Sequence, residues 1–102
     1  MTISRIIPAD AKDHFWSVVK ECLVEFHRRP RAWSRTRTDR VRTRVEAMPH
    51  EQMELFYHSE PFDVACLLAQ HPLDMAKHLL RYLQIRDGED SRNSEANETG
   101  TA

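Results

Sequence analysis

Apolar residues Ala11, Phe15, Val18, Cys22 and Phe26 recur at spacings of three and four, the repeat of one α-helix face. Trp16, Val19 and Leu23 form a second stripe beside the first. The helix predicted over Ala9–Arg29 therefore carries so wide an apolar arc that it is either central in the fold or covered by another chain. Asp10 and Asp13 near its amino end, and Arg28 and Arg29 near its carboxyl end, suit the helix dipole.

Prolines divide the rest of the chain. The segments Glu60-Pro61-Phe62-Asp63 and His71-Pro72-Leu73-Asp74 share one pattern. Proline at the first helical position is pre-set for the helix and lacks only a donor that is not needed there, and an aspartate two residues later meets the exposed amides. The pattern predicts a helix from Pro61 through Val64, Ala65, Leu67 and Leu68, and another from Pro72 presenting Leu73, Ala76, Leu79, Leu80 and Leu83. Between Pro49 and Ser59 a short helix would turn Met48, Leu55 and Phe56 inward.

Residues 33–48 fit two periods. A helix aligns Trp33, Arg37, Val41, Val45 and Met48, whereas a strand alternates Val41, Thr43 and Val45 with Arg40, Arg42 and Arg44. The helix is favoured because the alternation slips phase at Asp39, and the only partner strand on offer, Ile3–Ile7, would leave a lone hairpin. The expected fold is all-α, a bundle of four to five short helices in residues 1–87; the alternative is α+β with a short N-terminal β-ribbon.

Composition adds the boundary. Residues 88–102 contain no aromatic and no Val, Ile, Leu or Met, so nothing in them repays the entropy of ordering, and they are expected to form a flexible acidic tail. No apolar run reaches the ~20 residues of a membrane span, and the amino terminus has no signal-peptide pattern, which predicts a soluble, cytoplasmic protein without a membrane partner. Cys22 and Cys66 fall in apolar helical segments without CxxC spacing, as expected of reduced, buried thiols. Gly88 and Gly100 are the only glycines; the folded part thus lacks the residue that phosphate-binding loops, dinucleotide-binding turns and nucleophile elbows require.

Charge changes the picture most. Residues 28–45 hold eight arginines and one acid, against three bases and four acids in residues 1–27 and four bases and eleven acids in residues 46–102. In a helix, Arg37, Arg40 and Arg44 form a ridge beside Val41 and Val45, with Arg35 and Arg42 on the far side. Guanidinium forks suit carboxylate or phosphate, and Trp33 is placed to stack a base. The arginines could instead pair with the acids of residues 46–102, leaving nothing to bind a partner.

Three acid-to-histidine pairs lie four apart: Asp10/His14, Glu54/His58 and Asp74/His78. Each could offer two metal ligands, but all lie off the apolar stripes, which reads as exposed helix pairs contributing about 0.2–0.5 kcal/mol. His50 and His58, about 12 Å apart on a straight helix, cannot share one ion. No metal or other cofactor is expected. No nucleophile has a recognisable base and orienting group, and His27 reads as a helix-end cation. An apolar surplus at Trp16, Leu23, Met53, Tyr57 and Tyr82 predicts self-association or a protein interface. The expected function is a non-enzymatic interaction or regulatory protein that binds an acidic protein surface through Arg35, Arg37, Arg40, Arg42, Arg44 and Trp33. A nucleic-acid-binding module is the alternative, and a metal-binding protein or small metal-dependent enzyme the third.

Overall fold

The computed structural model describes residues 7–87, which fold as five helices with no strand: α1 (Ala9–Glu25), α2 (Arg31–Glu46), α3 (His50–Tyr57), α4 (Pro61–Ala69) and α5 (Met75–Asp87). The predicted acidic tail and nearly all of the Ile3–Ile7 strand lie outside the described residues.

The wide apolar arc of α1 makes it the central post, packed against α2, α4 and α5. Both of its stripes are used, and Phe15, Trp16, Val18, Val19, Cys22 and Leu23 are all buried. The helix ends at Glu25, four residues before the expected Arg29. Arg28 adopts a left-handed conformation at φ 57°, and the Arg29 amide donates back to the Leu23 carbonyl at 3.0 Å. The chain turns there, so neither arginine lies in the last helical turn.

Two further boundaries follow from capping. At α4, Pro61 occupies the first turn as its position predicts. The helix closes on left-handed Gln70, whose amide reaches Leu67 O (3.1 Å) while the His71 amide reaches Cys66 O (3.1 Å). This is a Schellman closure, and Pro72 after it cannot continue the helix. α5 therefore begins at Met75 and not at Pro72: Asp74 Oδ1 accepts the Ala76 amide at 3.0 Å, the bond of a side-chain N-cap.

Tyrosine hydroxyls set the rotation of α3 and α5, and both differ from the stripes read in the sequence. In α3, Met53, Phe56 and Tyr57 pack against the core and Leu55 is 70% exposed. Trp16 Nε1–H donates to the Tyr57 hydroxyl at 2.8 Å, and that hydroxyl donates to Glu46, which ties α1, α2 and α3 together. Phe56 stacks on Trp16 at 5.6 Å between ring centroids, and Phe15 meets the edge of Tyr57 at 5.1 Å. In α5 the inward row is Met75, His78, Tyr82 and Ile85, leaving Leu79 and Leu80 exposed. The buried Tyr82 hydroxyl donates to Glu60 at 2.7 Å and accepts the Phe62 amide at 3.3 Å, giving it partners that a leucine face could not use.

α2 forms as the helical reading predicts, but it is almost bare of core residues. Ser34, Thr38 and Val45 are its buried positions, with Trp33 and Val41 half-buried against the core, so two of the three fully buried side chains of α2 are small and polar.

Replacing Tyr57 by Phe strands the Trp16 N–H and releases Glu46, and it should cost about 1–3 kcal/mol in urea denaturation; a variant as stable as the parent would contradict the three-helix tie. Gln70→Gly should stabilise by about 0.5–1 kcal/mol, since only glycine takes the left-handed region without a Cβ clash. Calorimetry showing an unchanged or lower melting temperature would count against that backbone geometry.

Candidate functional site: the two arginine flanks of α2

With Ser34, Thr38 and Val45 turned to α1, helical spacing sends the arginines of α2 to two flanks. One carries Arg31, Arg35 and Arg42, the other Arg37, Arg40 and Arg44 beside Trp33. On the first flank Arg31 pairs with Glu21 and Arg42 with Asp13, each at 2.7 Å. The partners come from α1, not from the acid-rich residues 46–102. On the second flank Arg37 lies over the Trp33 ring, 5.1 Å from its centroid. Arg35, Arg40 and Arg44 are exposed and their side chains have no ion pair or hydrogen bond among the described residues, and the exposed Arg28 side chain shares that condition.

Five of the binding residues read from the sequence thus divide into one paired arginine (Arg42), one stacked (Arg37) and three unpartnered (Arg35, Arg40, Arg44). Trp33 is not an open platform for a base. Arg29 also lies over its ring at 5.3 Å while donating to the Ala69 carbonyl at 3.3 Å.

The predicted interface set needs a larger correction. Trp16, Leu23 and Tyr82 are buried in the monomer's own core, and Met53 and Tyr57 are half-buried against it. Tyr57 is further occupied by its hydrogen bonds. Burial and the Glu46 carboxylate push its hydroxyl up to about 12, while that hydroxyl, joined by Lys12, holds the Glu46 carboxyl below its ordinary range. Among the described residues, the large apolar side chains left outside are Leu55, Leu67, Leu79 and Leu80. Leu67 borders a shallow apolar hollow of about 350 Å³ with Cys66 and Pro72. Both cysteines are free thiols raised by burial, as expected of side chains that pack and do not react.

The acid-to-histidine pairs do not act as pairs. His14 Nε2–H donates to the Arg86 carbonyl, Asp74 caps α5, and the His78 ring packs on Phe26 at 5.1 Å. One carboxylate oxygen of Glu54 is buried without a partner. Among the described residues no group of three His, Cys, Asp or Glu side chains comes together as a metal site, and no helix is long and apolar enough to cross a membrane.

A groove of about 190 Å³ between α1 and α2 was not foreseen. It is lined by Lys20, Arg35, Thr38 and Asp39, with Trp16 and the Arg42–Asp13 pair. The available signal was the small polar pair Ser34 and Thr38, four apart on a helix otherwise crowded with arginine. No protein-family model matches the chain, and neither a characterised protein nor a solved structure is significantly similar to it.

His27 also differs from its sequence reading as a helix-end cation. The imidazole is buried, its Nδ1 has no partner, and burial, reinforced by His71, Arg29 and His78, lowers its pKa to about 4. The unfolded chain takes up this proton near pH 6.5 and the folded chain resists it. The contribution to stability is therefore intact above pH 6.5 and is lost as the pH falls toward 4. Stability should drop by roughly 2 kcal/mol more between pH 7 and pH 4.5 in the wild type than in His27→Gln, measured by urea unfolding at both pH values. Equal pH sensitivity of the two proteins would refute a buried neutral imidazole.

Proposed function

We propose that this chain is a non-enzymatic interaction or regulatory protein that docks an acidic protein surface on α2. The contact is made by the outer ridge of Arg37, Arg40 and Arg44, with Arg28 at the head of the helix. One observation carries the reading. Arg31, Arg42, Arg81 and Arg86 are each neutralised by a carboxylate of the same chain, whereas Arg40 and Arg44 have no such partner among the described residues. A helix with six arginines in sixteen residues contributes only Val45 as a fully buried apolar side chain, so core packing does not account for its composition.

The arrangement favours protein over nucleic acid. The Trp33 ring is already covered by two guanidinium groups, which removes the stacking platform single-strand recognition uses, and the whole chain carries a net charge of −1, unlike most phosphate-binding domains. Self-association, if it accompanies docking, rests on Leu55, Leu67, Leu79 and Leu80, because Trp16, Leu23 and Tyr82 are enclosed.

Poly-glutamate and single-stranded DNA of matched length serve as probes. The protein should bind poly-glutamate at low salt, and Arg40→Glu/Arg44→Glu should weaken it about tenfold or more, a loss of about 1.4 kcal/mol, with the melting temperature unchanged. Preferential DNA binding would move the assignment to nucleic acid, and full retention of poly-glutamate binding in the double variant would remove the ridge from it.

A further inference from the structure

The α1–α2 groove has a size and a sign. Its 190 Å³ is the space of about six waters at roughly 30 Å³ each, and less than the roughly 300–1,000 Å³ of sites for drug-sized ligands. That is room for one carboxylate- or phosphate-sized group. Across the groove Arg42 and Asp13 neutralise each other at 2.7 Å. Lys20 from α1 and Arg35 from α2 remain, opposed by Asp39 alone, and neither cation has an ion pair among the described residues.

Thr38 supplies an independent observation. It is 3% exposed, and its hydroxyl is buried with no hydrogen-bond partner. Two other hydroxyls of α2 behave differently: Ser34 donates to Pro30 O at 2.9 Å and Thr43 to Asp39 O at 3.0 Å, each four residues back. Valine would fill the same space without stranding a polar group, so the hydroxyl lowers the stability of the free chain. Threonine in a helix has two accessible χ1 wells, so the hydroxyl is not confined to one orientation. A stranded donor beside two unpaired cations is the donor set that charge-assisted binding of an oxyanion calls for.

We infer that the α1–α2 groove binds a small oxyanion, carboxylate or phosphate, with Lys20 and Arg35 as charged donors and the Thr38 hydroxyl at the floor. This site lies on the opposite flank of α2 from Arg40 and Arg44 and stands or falls separately from the ridge.

The test uses the full chain, titrated with inorganic phosphate and, in a parallel arm, acetate, against sodium chloride at matched ionic strength. Amide NMR shifts and the melting temperature are followed. Saturable shifts should centre on Lys20, Arg35 and Thr38, and the melting temperature should rise with the oxyanion but not with chloride. Tighter binding of phosphate than acetate names phosphate as the group, and the reverse order names carboxylate. Arg35→Gln should weaken binding about tenfold, while Asp39→Asn, which removes the opposing charge, should tighten it. Thr38→Val should melt higher than wild type when ligand-free and bind more weakly. Arg40→Gln/Arg44→Gln should bind like wild type. Shifts that chloride reproduces, shifts centred on Arg40 and Arg44, or undiminished binding by Arg35→Gln, an exposed position where folding is not at stake, would overturn the inference.

Discussion

Burial on both sides of α1 is the constraint from which the rest of the structure follows. This helix supplies six of the thirteen buried apolar side chains of the core: Phe15, Trp16, Val18, Val19, Cys22 and Leu23. Burying each of the larger ones contributes about 1.5–3 kcal/mol, so α1 supplies the largest single share of the fold's apolar driving force. α4 covers one side with Phe62, Val64, Ala65, Leu68 and Ala69, and the aromatic pair of α3 closes over Phe15 and Trp16. The remaining helices are placed by what α1 leaves uncovered.

Apolar contact alone would let the short helices rotate. The two tyrosines prevent it by the same device on different elements. Tyr57 joins α3 to a glutamate at the end of α2, and Tyr82 joins α5 to Glu60, which precedes α4. A hydroxyl removed from water, wholly at Tyr82 and partly at Tyr57, must find a partner or cost about as much as a lost hydrogen bond. The helix accordingly turns until the tyrosine reaches its glutamate, even where that leaves leucine in water. Leu55 and Leu80, 70% and 79% exposed, follow from this ordering of costs.

That ordering explains what could be read in advance. The period over Phe15 to Leu23, the proline at Pro61 and the phase slip at Asp39 are local signals, and the all-α class, the central helix and the helical state of α2 follow from them. The opposite flanks of Arg37/Arg40/Arg44 and Arg35/Arg42 follow from spacing too. The rotations of α3 and α5 were not legible, because they depend on Glu46 and Glu60, eleven and twenty-two residues from their tyrosines. His27 became buried and neutral only once the left-handed turn at Arg28 brought His71 against it, 5.4 Å between ring centroids. The occupied face of Trp33 and the groove at Thr38 likewise arise from the meeting of separate segments.

The seam between α1 and α2 has a further consequence. Since α2 meets the core through Ser34, Thr38 and Val45, with Trp33 and Val41 half-buried beside them, the identity of its fully outward residues carries almost no information about the fold. Arg40, Thr43 and Arg44 are free to be exchanged with small effect on folding, in contrast to any residue of the α1 stripes. The molecule thus separates a packed scaffold from a rewritable strip, and sequence drift at that strip would change the surface charge while leaving the architecture intact.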